Sequence, residues 1–137
     1  MTVRKEERQE GKLALSELAV RHAVYVIQIT KNENIFKPEY NEAITNNIVK
    51  ESIEISHCIW AANNVLVNSK DTYSIRRKYQ ELAATKCNVL LADINIAKKL
   101  FHLSAKRMRY WTGMVVEIRN KTRGWISSDA KRYAEYR

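Results

Sequence analysis

Ala83, Cys87, Leu90, Ile94, Ala97 and Phe101 recur at steps of four, three, four, three and four. Residues so spaced share one side of an α-helix, because 3.6 residues complete each turn, whereas a strand would need alternation by two. The stepping resumes after His102 with Met108, Trp111, Val115, Ile118, Thr122 and Trp125. Each stripe has to be buried against another element.

The chain offers little with which to build anything but helices. Gly11, Gly113, Gly124 and Pro38 are its only glycines and proline in 137 residues, too few to punctuate strands and tight turns. That length suits one domain with a single core. A first helix is expected over 13–30, with Leu15, Leu18, His22, Tyr25 and Ile29 on its inner face. Lys31-Asn32-Glu33-Asn34 breaks it, and Pro38 opens a second helix expected over 38–67, with Ile48, Ile55, Ile59, Ala62 and Leu66 inside. Ser69 or Asp71 caps the third helix and Ser104 the fourth. Short connections make consecutive helices antiparallel neighbours. The expected fold is an all-α, up-down-up-down four-helix bundle over residues 13–128, with a charged, frayed 1–12 and a basic tail over 129–137.

Charge is concentrated at the end of the chain. Residues 106–137 hold nine Lys or Arg against three acids, a net +6 of the whole chain's +9. A helix with one apolar stripe and cations elsewhere suits a polyanion, and the absence of any compact reading head points to phosphate-led rather than base-specific contact. Tyr110, Trp111, Trp125, Tyr133 and Tyr136 are interleaved with these cations. Trp111 and Trp125 fall on the core stripe, while Tyr133 and Tyr136 are freer to meet a ligand.

The second helix carries a further apolar repeat. Ile53, Trp60 and Val67 recur every seven residues on the side away from Ile48, Ile55 and Ile59, which marks them as an oligomer interface.

Catalytic constellations are lacking. Glu54 and His57 form a single ExxH pair, where a di-iron bundle needs two, and no metal or other cofactor is expected. His22 reads as a hydrogen-bonded core histidine and Asp93 as a solvated carboxylate. There is no Gly-rich phosphate loop, no GxSxG and no supported Cys/His nucleophile. Cys58 and Cys87 lie within apolar helical pattern without a CxxC partner, which fits buried thiols in a reducing, cytoplasmic setting. No window approaches a membrane span, so no membrane association is expected.

Phe36-Lys37-Pro38-Glu39-Tyr40 opens helix two and Ile59-Trp60-Ala61-Ala62-Asn63-Asn64 comes late in it. Tyr110-Trp111 stands in helix four, and Arg123-Gly124-Trp125-Ile126 with Asp129 and Arg132 follows. In this order, over residues 13–132, the chain resembles the four-helix-bundle accessory proteins of diversity-generating retroelements, the accessory variability determinant group. It is also similar to the related 23S rRNA intervening-sequence proteins, but lacks that branch's Arg-rich start of the second helix and its Ala-Glu-Gly turn. The resemblance implies a noncatalytic, basic homopentamer that binds a reverse transcriptase and RNA or DNA, and supports template-RNA-directed cDNA synthesis. By location and charge, the nucleic-acid contacts would be Arg107, Arg109, Arg119, Lys121 and Arg123, with Arg76, Arg77 and Lys78 as a second patch. The other reading is a helical homo-oligomeric module of the intervening-sequence type with no polymerase partner.

Overall fold

The computed structural model describes the backbone from residue 5 and side chains from residue 11, both to the end of the chain. The frayed segment expected over 1–12 lies partly outside the described residues. The part inside is helical, since α1 spans Lys5–Thr30. Three further α-helices follow: α2 over Asn46–Asn63, α3 over Lys70–Phe101 and α4 over Ala105–Arg132. Among the described residues there is no strand, and the all-α four-helix bundle stands.

The apolar stripes become the core. Leu15, Leu18, Ile48, Ile55, Ile59, Cys87, Leu90, Ile94, Trp111, Val115 and Ile118 are all buried in one cluster. Helix α1 packs on α2 and α4, and α3 packs on α2 and α4, so the helices close a ring around that cluster. The bonds Arg76 to Asp129 and Arg119 to Asn88 run in opposite senses along α3 and α4, as an up-down order requires.

Local chemistry sets the ends. Ser69 caps α3: its Oγ accepts the Thr72 N–H at 3.1 Å, while its own N–H donates to Thr72 Oγ1 at 3.0 Å, a reciprocal box. Ser104 Oγ accepts the Arg107 N–H at 3.1 Å at the start of α4. Between them His102 takes the left-handed conformation, φ 55°, that lets the chain reverse after α3.

Helix two is shorter than its pattern predicts. Pro38–Tyr40 forms a tight turn and Asn41–Thr45 a wide one before α2 begins. At the other end α2 stops at Asn63 rather than continuing to 67. Asn64 Nδ2 donates to the Trp60 carbonyl at 2.8 Å, and Asn63 Nδ2 reaches Ser16 Oγ on α1 at 2.8 Å. Asn side chains that bond local carbonyls compete with helix continuation. Leu66, expected in the core, is therefore in the connection and 78% exposed.

The tail corrects the expected boundary at 128. Asp129 is buried, α4 runs on to Arg132, and a short turn over Ala134–Tyr136 closes the chain. Tyr133 packs on Tyr73 of α3 with ring centroids 5.9 Å apart. The bundle thus includes most of the segment assigned to a loose tail.

Candidate nucleic-acid interface

Helix α4 buries Trp111, Met114, Val115, Ile118 and Thr122, so its cations are left around the solvent side. Lys106, Arg109, Lys121, Arg123, Lys131 and Arg132 are exposed, and Arg107 and Arg119 half-buried. These groups are lightly held. Arg119 donates to Asn88 at 3.1 Å and to Asn120 at 3.3 Å, both neutral partners. Lys121 stands 4.0 Å from Glu117 one turn back, an exposed pair of little strength. Arg107 stands beside the Tyr25 hydroxyl.

Five of the eight expected contacts fall on α4, but not in one place. Arg107 and Arg109 stand near its start, about 18 Å along the axis from Arg119 and Lys121 at 1.5 Å per residue. Arg77 and Lys78, at the start of α3, belong instead to the end of the bundle where α4 finishes, because Arg76 of α3 holds Asp129 of α4. Lys78 is exposed, while Arg77 is half-buried and engaged by Glu81 at 2.9 Å and the Tyr73 hydroxyl at 3.1 Å.

Arg76 is not a phosphate contact. It is 3% exposed, and its Nε and Nη2 donate to the two Asp129 oxygens at 2.7 and 3.1 Å. Gln80 Nε2 donates to the same carboxylate at 2.8 Å. The guanidinium also lies over the Trp125 ring at 5.0 Å and the Tyr133 ring at 5.7 Å. A bidentate pair walled by aromatics and closed to water joins α3 to α4. Its signal was present: Arg76 and Gln80 extend the Ala83/Cys87 stripe backwards by the same steps, and Asp129 extends Trp125 forwards by four.

The expected oligomer stripe is also redrawn. Trp60 is 65% exposed on α2 and Ile53 half-buried, but Val67 lies beyond the end of that helix and cannot continue the repeat. A longer apolar line lies on α3. Ile75, Leu82, Val89 and Ile96 recur every seven residues, each between 44% and 51% exposed, with Tyr79 beside them. The sequence shows the same period, interrupted to the eye by Lys86 and Asp93 on the neighbouring line. The α1 helix adds exposed Leu13, Val20 and Val24.

Polar groups inside the bundle are structural. His22 is fully buried, its Nε2 accepts the Trp111 indole N–H at 3.1 Å, and burial lowers its pKa to about 4. It is a neutral core histidine, as its position on the inner face predicts. Asp93 departs from the solvated carboxylate expected. It pairs with Glu51 across the α2–α3 seam, and burial with that neighbour pushes Glu51 up to about 7. Glu51 Oε2 is buried and has no hydrogen-bond partner among the described residues, which favours the neutral acid there. Nearby, Lys86 Nζ donates to Glu54 at 2.6 Å, and Glu54 is held below the ordinary carboxyl range. Cys58 and Cys87 are buried free thiols, and burial pushes Cys87 up to about 12. A thiol so hard to ionise is a poor nucleophile. Among the described residues no three His, Cys, Asp or Glu are grouped to hold a metal, and no helix is long and apolar enough to cross a membrane.

No family model matches the chain, and no curated protein or solved structure is recognisably similar to it.

Proposed function

We propose that this protein is a noncatalytic, homo-oligomeric accessory factor that binds nucleic acid and a reverse transcriptase, and so supports template-RNA-directed cDNA synthesis in a diversity-generating retroelement. The observation that carries nucleic-acid binding is the cationic solvent side of α4, whose Arg and Lys groups have mostly neutral or weak partners. Such groups exchange counterions for phosphates without first breaking a strong ion pair. Exposed Lys78 adds a cation at the end of the bundle where α4 finishes, beside Arg77, which Glu81 already engages. The exposed apolar lines on α2 and α3 support assembly, which would set several copies of the α4 face along one strand. The polymerase partner and the count of five rest on the sequence resemblance alone.

Binding of a single-stranded RNA, followed by fluorescence anisotropy, tests the reading. If the assembly neutralises six to ten phosphates, raising salt from roughly 50 to 200 mM weakens binding by on the order of a thousandfold or more. Reversing Arg119, Lys121 and Arg123 to Glu should weaken binding for all sequences alike and leave the helical spectrum unchanged. Wild-type protein that ignores RNA at low salt and does not retain a co-expressed reverse transcriptase would sink the proposal. If it nevertheless remained oligomeric, the exposed α3 line would favour the second reading, an interaction module of the intervening-sequence type.

A further inference from the structure

Between the start of α1 and the end of α4 lies an open cavity of about 260 Å³. Leu15 and the Trp125 ring form apolar walls, and Lys121 and Arg132 stand among the lining with Lys12. The volume is just below the roughly 300 Å³ at which drug-sized ligand sites begin, so it suits one ring system with its substituents.

Two of the chain's three glycines, Gly11 and Gly124, line this one cavity from opposite helices. Neither has a positive φ, so the backbone does not require them, and a glycine inside a helix weakens it relative to alanine. A Cβ at either position would meet nothing within 4 Å. What the missing side chains preserve is empty space beside an aromatic ring.

The polar groups around that space favour an anion attached to an apolar body. Asp129 also lines the cavity, but Arg76 and Gln80 already hold its carboxylate, which offsets its repulsion of a phosphate. Trp125 Nε1–H is buried and has no acceptor among the described residues. A base carbonyl or ring nitrogen would supply one after a small shift of the ring.

We infer that this cavity is a nucleotide pocket, which receives one unstacked base of a single-stranded nucleic acid against Trp125 and places its phosphate beside Lys121 and Arg132. The inference rests on the nucleic-acid reading above and narrows it from a surface to a place. A base in the pocket would also fix where along the strand each subunit sits, because the cations of α4 by themselves read only phosphate.

The test is fluorine NMR of the full chain labelled with 5-fluorotryptophan, whose resonances from Trp60, Trp111 and Trp125 are assigned with Trp125→Phe. Adenosine or uridine monophosphate, and a short single-stranded RNA, should each move the Trp125 resonance, while inorganic phosphate should leave it in place. Gly124→Leu, or Gly11→Leu from the opposite wall should the first fail to fold, fills the space. Either should abolish that movement and weaken RNA binding by about 5- to 150-fold, the weight of one base on an aromatic platform. The salt dependence should stay as in the wild type, since no phosphate contact is removed. RNA binding with a silent Trp125 resonance, a filled cavity that leaves RNA affinity untouched, or an equal response to inorganic phosphate would each overturn the pocket while the broader reading survived. Mononucleotides that move Trp125 in a protein deaf to RNA would keep the pocket and remove the broader reading.

Discussion

Helix α3 buries Ala83, Cys87, Leu90 and Ile94, and α4 buries Trp111, Val115 and Ile118, in the same four-three rhythm. What the two helices turn away from the core differs. On α3 the shoulder is Ile75, Leu82, Val89 and Ile96, about half exposed; on α4 it is a spread of Arg and Lys. An inner stripe specifies only that a helix belongs to a bundle, and many sequences meet that demand equally. The outer face is under no folding constraint, so its chemistry reports what the surface meets. An apolar line gains by covering itself with protein, and a cationic one by meeting an anion. Under the proposed function, assembly would fall to α3 and the ligand to α4.

The two helices are not independent, because Arg76 and Asp129 join them at the end that carries the cavity. Arg76→Ala would leave Asp129 buried and unpaired, a loss of about 3–5 kcal/mol. Thermal unfolding followed by circular dichroism should show the melting temperature falling by more than about 10 °C. Replacing both partners with apolar residues of similar size should recover most of that loss, since the cost lies in the orphaned charge. An Arg76→Ala protein as stable as wild type would show that the two faces are not rigidly set by this pair.

Assembly through α3 is tested by charges on its outer line. Leu82→Glu with Val89→Glu should dissociate the oligomer in light scattering, with little change in the monomer's helicity, because both side chains are about half exposed. Trp60→Glu probes the α2 face in the same way. If it dissociates the protein and the α3 pair does not, the interface lies on α2 and the comparison fails. A wild-type monomer at micromolar concentration removes assembly altogether.

The smallest expected effect lies at the seam behind the α3 shoulder. Glu51 takes up a proton on folding between its ordinary pKa of 4.5 and about 7, through burial and Asp93, with Lys86 opposing. A group whose folded pKa is raised binds more protons when native, so stability falls as pH rises through that window and levels off above it. Glu51→Gln keeps a neutral side chain at every pH. Its melting temperature should exceed that of wild type by on the order of 2–5 °C near pH 8, and the difference should close below about pH 4.5. His22, which acts oppositely between 6.5 and about 4, is common to both proteins and cancels. A pH-independent difference would mean that Glu51 is not held protonated in the folded state.

Much of this fold was legible in the chain itself. The four-three stripes, the Ser69 and Ser104 caps, the break after Thr30 and the neutral place of His22 follow from interactions within a few residues, or from the period that sorts one helix face from another. The same period reached Arg76, Gln80 and Asp129, but charge was read as exposure there, and two opposite charges were not foreseen as partners. Their separation along the chain is 53 residues, and only the docking of α3 on α4 brings a guanidinium and a carboxylate to 2.7 Å. The end of α2 was likewise settled outside its own pattern, by Asn64 bonding back to Trp60 and Asn63 crossing to α1. So were the pairing of Glu51 with Asp93 and the gathering of Gly11 with Gly124 around Trp125. Helical periodicity is local, and so the order of residues sets which side chains face inward and which cannot. Tertiary structure decided which inward polar groups find each other and where space is left open, because both depend on how neighbouring helices slide and rotate against one another.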